Sequence, residues 1–245
     1  MFNFFIKKPV VYLDFFTFDS VLFKYFKITP SIKFLPDWWK QLDPKFENMR
    51  HCKGFIEFYS KSFCVPSWCE FEFEVSENEG YKWQSGSNEA IVVEHNPVQY
   101  GNMFKDEKFY HFKINPNWIC STKDKNFRFL ISPPFYNNKF LNNYQVMPGI
   151  IENYVNTSIN INFLMKRQNY KFSIMPYDPL AFFFPLTEKK IKLNFHLVSK
   201  KEYEDLHVRN KLFINRSQLL NNQPIVTKIF EKTKKFLNRH EEINN

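Results

Sequence analysis

A chain of 245 residues with 44% hydrophobic and 24% charged side chains is long enough to bury a core without disulfides, which excludes a disordered chain and a small cystine-stapled scaffold. Five glycines stand beside 31 phenylalanines. Glycine-rich phosphate loops therefore have few places to form, and AT-rich coding accounts for the aromatics without invoking base stacking. The net charge of +9 lies mainly in residues 188–245, with 13 basic and seven acidic side chains, whereas residues 51–187 balance; basicity confined to a tail disfavours nucleic acid as the partner.

Residues 1–16, "MFNFFIKKPVVYLDFF", are apolar but broken by Lys7, Lys8 and Pro9. They read as neither a signal peptide nor a membrane span, so the expectation is a cytoplasmic protein with no membrane partner. Cys52, Cys64, Cys69 and Cys120 form no CxxC pair, so reduced thiols and no metal or other cofactor are expected.

Residues 10–18 are rich in β-branched and aromatic side chains and predict a strand. Pro36 and Asp37 open a short helix that anchors Trp38 and Trp39. Residues 54–63, "GFIEFYSKSF", read as a strand that pairs with "CEFEFEV" (69–75). In the latter Glu70, Glu72 and Glu74 alternate with Phe71, Phe73 and Val75, one face wet and one dry. A further hairpin is predicted around Ser85-Gly86-Ser87-Asn88. Asn115-Pro116-Asn117 forms a turn in which Asn117 takes the left-handed conformation. Residues 127–134 form a strand ending in two prolines, and 135–145 a polar loop. Residues 158–163 and 170–174 are strands, and 178–186 is a buried strand bounded by prolines. Eight to ten strands without interleaved helices predict a mainly β fold, an antiparallel β-sandwich of jelly-roll type with a β-barrel as the variant. It occupies residues 1–198. Residues 199–245 form a helical extension packed on it. Ser199 with Glu202 makes a capping box for a first helix, and Pro224 opens a second with Ile225, Ile229, Phe236 and Leu237 on one face.

The order of landmarks resembles an uncharacterised family of bacterial and tailed-phage proteins, a domain of unknown function. The landmarks are Asp37-Trp38, Cys52 with residues 55–58, Pro116-Asn117-Trp118, Ser132-Pro133-Pro134, residues 149–154 ("GIIENY"), 162–166 and 178–185. The resemblance spans about residues 36–190, brings no known activity and implies a viral origin, hence the host cytoplasm. Asn117 departs from the family's usual glycine, and Tyr154 from the commoner tryptophan.

"GIIENY" is also similar to the hairpin segment of trimeric dUTPase-like nucleotidohydrolases, whose carboxylate orients water and the sugar and whose tyrosine packs on the deoxyribose. Glu152 and Tyr154 would take those roles. Tyr154 stands one position early, Val155-Asn156 replaces Arg-Gly, and the serine-rich phosphate motif is absent. A cupin-type iron oxygenase would need a His-x-Asp/Glu pair plus a distant histidine; of His51, His95, His111, His196, His207 and His240, only His240 has a carboxylate two residues on. No Gly-x-Ser-x-Gly nucleophile turn is present. The leading expectation is binding or assembly rather than catalysis, with no catalytic residue assigned. Trp83, Trp118, Arg128, Glu152 and Tyr154, at strand ends and turns, are the candidate binding residues. The expected partner is a protein, either a second copy or a virion component; a glycan or a nucleotide stays open.

Overall fold

In the computed structural model, which describes residues 9–94, 109–137, 143–152 and 157–214, four β-sheets share one aromatic core. The first sheet has the order β12-β8-β1-β16: β1 (Val10–Thr17), β8 (Ile119–Ser121), β12 (Thr157–Ser158) and β16 (Lys190–Leu197). The second, β10-β13-β7-β6, holds β6 (Ile91–Glu94), β7 (Phe109–Asn115), β10 (Tyr144–Val146) and β13 (Ile161–Lys166). The third, β11-β9-β15-β3-β2, holds β2 (Thr29–Pro30), β3 (Phe63–Pro66), β9 (Arg128–Ser132), β11 (Gly149–Glu152) and β15 (Pro179–Pro185). The fourth, β14-β4-β5, holds β4 (Phe71–Ser76), β5 (Gly80–Ser85) and β14 (Tyr170–Ile174). Pairing is antiparallel except between β1 and β16, which run parallel from Val10↔Lys190 to Thr17↔Leu197. The architecture is a mainly β, sandwich-like fold with no closed barrel.

Alternation decides which side chains enter the core. Phe71, Phe73 and Val75 of β4 are buried while Glu72 and Glu74 are exposed. Phe73 stacks on Phe172 of β14 at 4.9 Å and meets Phe112 of β7 at 5.1 Å. Phe112 stacks in turn on Phe163 of β13, so the second and fourth sheets face each other across aromatic rings. Burying each such ring contributes roughly 1.5–3 kcal/mol relative to leaving it in water. The strands predicted at residues 10–18, 127–134, 170–174 and 178–186 are present as β1, β9, β14 and β15.

Three readings need correction. Residues 54–63 are not a strand: Lys53–Lys61 is an α-helix, α3, following α1 (Ser20–Tyr25) and α2 (Asp37–Lys40). Phe55 and Tyr59 are buried and Phe58 packs beside them, the i, i+3, i+4 set that meets on one helix face. The partners of β4 are therefore β5, through a tight turn at residues 77–79, and β14. Nor do residues 85–88 close a hairpin, because β5 and β6 belong to different sheets. Residues 190–197, which alternate plainly, form β16, and α1 is a further helix.

Helices α2 and α3 cover the outside of the third sheet. Trp38 and Trp39 ring Phe55 at 5.6 and 5.8 Å, and Tyr59 meets Phe182 of β15 at 5.4 Å. Asn117 has φ 51°, as the turn requires. A second left-handed residue, Tyr177 at φ 69°, is held in the β14–β15 turn by its N–H donating to Ser67 O at 2.8 Å, while Ser67 N–H donates to Asp178 O at 2.8 Å.

After β16 comes α4 (Lys200–Ile214). The Ser199 hydroxyl and N–H both donate to the Glu202 carboxylate, at 2.7 and 2.8 Å, and the Glu202 N–H returns to Ser199 Oγ at 3.3 Å. This reciprocal cap matches the predicted box. Tyr203 is buried edge-on to Phe18 at 4.9 Å. The second tail helix, with Pro224, Ile225, Ile229, Phe236 and Leu237, lies outside the described residues. Among the described residues no helix is long and apolar enough to cross a membrane.

Candidate functional site

The five residues singled out from the sequence do not gather in one place. Trp118 is fully buried, its ring against Phe195 at 5.5 Å and Phe15 at 6.3 Å, so it serves the core. The turn places it there: Asn117 N–H donates to Asn115 Oδ1, and its amide donates to Glu89 O, both at 2.9 Å. Arg128 and Glu152 stand directly opposite on β9 and β11, with Arg128 Nε 3.4 Å from Glu152 Oε1. That is an exposed cross-strand ion pair at the rim of the third sheet. Tyr154 lies outside the described residues. Trp83 is in the fourth sheet, 39% exposed on β5.

The neighbourhood of Trp83 is built by register. Directly opposed residues share a face, so the outer face of the fourth sheet carries two rows, Ser173–Glu72–Gln84 and Lys171–Glu74–Lys82. They line a shallow groove of about 530 Å³. In the first row Gln84 donates its amide to Glu72. In the second Lys171 Nζ lies 3.1 Å from Glu74, while Lys82 is in no ion pair among the described residues. Trp83 stands opposite Phe73 and so shares the inner face, at the margin where the core no longer covers it.

A second cluster occupies the outer face of the first sheet. Asp14 Oδ1 accepts from Asn194 Nδ2 at 3.1 Å and lies 2.9 Å from His196 Nε2; the imidazole stacks on Phe16 at 4.8 Å. Along the same row, Ser158 pairs with Ile119, Ile119 with Phe16 and Phe16 with His196. Over its far end, His207 of α4 places Nδ1 2.7 Å from Ser158 Oγ. A carboxylate that fixes a ring's orientation is a device for proton transfer as well as for structure. Asp14 and His196 are 182 positions apart and carry no local signal in the sequence; a strand reading of residues 190–197 is what would bring them together. His111, in β7, is buried. His95 and His240 lie outside the described residues. Among the described residues no group of three His, Cys, Asp or Glu is placed to hold a metal ion.

Charge states divide cleanly. Burial pushes the Tyr170 phenol and the Cys69 thiol up to about 12, and raises Tyr59, Tyr81, Cys64 and Cys120 further. Exposed carboxylates are lowered by hydrogen bonds from lysine, Asp37 by Lys40, Glu57 by Lys61 and Asp124 by Lys189. Every one of these shifts leads away from neutrality, whereas a general acid or base works best near the operating pH.

No known protein family, curated protein or solved structure matches the chain.

Proposed function

We propose that this β-sandwich protein acts by binding or assembly rather than by catalysis. The observation that supports the reading is strand β5, a sheet edge that carries a half-exposed tryptophan beside a neutral polar groove. Large amphipathic rings at such margins make contact area at low entropic cost. The partner is a protein, and a virion subunit in the host cytoplasm belongs to the same reading. That part rests on landmark order and composition.

The second reading, a nucleotide-directed hydrolase, draws on the Asp14–His196 pair rather than on Glu152, whose carboxylate is engaged by Arg128. Hydrolysis of deoxynucleoside triphosphates with magnesium separates the two. Wild type is expected to show no turnover above that of His196→Ala and Glu152→Gln. Robust turnover that collapses in either variant would overturn binding as the primary role.

A further inference from the structure

We propose that two copies of this chain join edge to edge through β5, antiparallel, about a two-fold axis at Trp83. The proposal rests on the binding reading and names its partner.

Backbone alternation sets the geometry. Gly86 N–H donates to Glu70 O at 2.9 Å, which makes 70/86 a hydrogen-bonded pair of the β4–β5 ladder. In an antiparallel ladder such pairs recur every second residue. Gln84 and Lys82 therefore bond to β4, and Tyr81, Trp83 and Ser85 turn their N–H and C=O groups to the far side. Among the described residues no strand pairs with that side. The β4–β5 register runs from Phe71↔Ser85 to Ser76↔Gly80 without a shift, and β5 contains no proline. Proline and bulges are the usual guards of an edge. The result is an open template.

The same alternation selects the axis. A two-fold centred on Trp83 opposes Trp83 to its copy and Tyr81 to the partner's Ser85, so all outward residues meet outward residues. About six backbone hydrogen bonds form. An axis between two residues would set outward groups against inward ones, and an axis at Tyr81, Lys82, Gln84 or Ser85 would shorten the overlap and form fewer hydrogen bonds.

Charge agrees. The Ser173–Glu72–Gln84 row carries one net negative charge and the Lys171–Glu74–Lys82 row one net positive. The Trp83 two-fold brings Gln84 opposite the partner's Lys82, so an acidic row continues into a basic row on both sides of the axis. Lys82, whose own cross-strand carboxylate Glu74 is already paired with Lys171, thereby gains the acidic row of the partner, where Glu72 lies one strand beyond Gln84. On the inner face the two half-exposed Trp83 rings cover each other. A self-complementary patch of this kind is what an isologous contact requires. The area is at the small end for protein interfaces, so the dimer is weak, with a Kd on the order of 10 µM.

Sedimentation velocity of the full chain, from about 1 µM to about 1 mM, tests this with two variants. Trp83→Pro removes an outward N–H and leaves the β4 ladder whole. Gln84→Lys sets like charges across the axis while giving Glu72 a lysine within the chain. Wild type is expected to dimerise, and each variant to raise Kd at least tenfold with an unchanged circular dichroism spectrum. High salt should restore dimerisation of Gln84→Lys by screening and not that of Trp83→Pro. A chain monomeric throughout the range, or a dimer indifferent to Gln84→Lys, overturns the proposal; should Trp83→Pro fail to fold, Gln84→Lys decides alone. A monomer without nucleotide turnover would sink the dimer and leave the binding reading standing, whereas turnover would sink that reading itself.

Discussion

Strands β4 and β15 are built from similar amounts of phenylalanine and end in opposite surroundings. In β4 the polar Glu72, Glu74 and Ser76 alternate with Phe71, Phe73 and Val75, and the sheet has one dry face and one wet one. In β15, "PLAFFFP", no position is polar. Phe183 enters the main core while Phe182, its neighbour, lies under α3 among Phe58 and Tyr59. The residue between the phenylalanines therefore decides how many layers are stacked on a sheet. Where it is charged the sheet ends in water; where it is a third phenylalanine another layer must cover it.

Breaking the covered side should have the largest effect. Phe182→Ala leaves a cavity between β15 and α3 and is expected to cost about 3–5 kcal/mol in urea denaturation; a loss under about 1 kcal/mol would mean that α3 is not part of the cooperative unit. The helical layer can also be followed chemically. Cys64 is fully buried beneath it, with its thiol raised by burial, and Cys52 is exposed. With Ellman's reagent, Cys52 should react at once, and Cys64 at least about a hundredfold more slowly through local opening. Two equally fast thiols among these would contradict the layer. The smallest effect is reserved for the wet side. Glu74→Gln removes the exposed pair with Lys171 and should shift stability by less than about 1 kcal/mol, a difference that vanishes in high salt.

Period two in the sequence identifies β4, β13 and β14, the proline-bounded apolar run identifies β15, and the Ser199–Glu202 box identifies the start of α4, because those signals are local. Residues 54–63 are ambiguous for a physical reason. Phe55, Ile56, Phe58 and Tyr59 satisfy a helix face as well as a two-sided strand, and the arbiter is the aromatic outer face of β15, more than 100 positions away. The candidate sites were legible in part. An exposed tryptophan at a strand margin is found by its type and spacing, and Trp83 holds that place; Trp118, with the same local description, is interior because the Asn117 turn folds it under β1. The Asp14–His196 contact depends on a parallel pairing of distant strands, and no short motif encodes that.

The parallel pairing of β1 with β16 also has a consequence for how the chain acquires its shape during synthesis. Val10 must wait for Lys190, and at ribosomal rates of about 5–20 residues per second the intervening stretch takes roughly 10–40 s to appear. For that interval β1, with Val11, Leu13 and Phe15 destined for the core, has no neighbour on that flank. Its other neighbour, β8, also emerges late, at Ile119–Ser121. The earliest of the described strands is thus among the last to be enclosed, and contacts of such long sequence separation slow folding. Refolding from denaturant should accordingly be limited by closure of this sheet, and a nascent chain halted before residue 190 would still present β1 to chaperones.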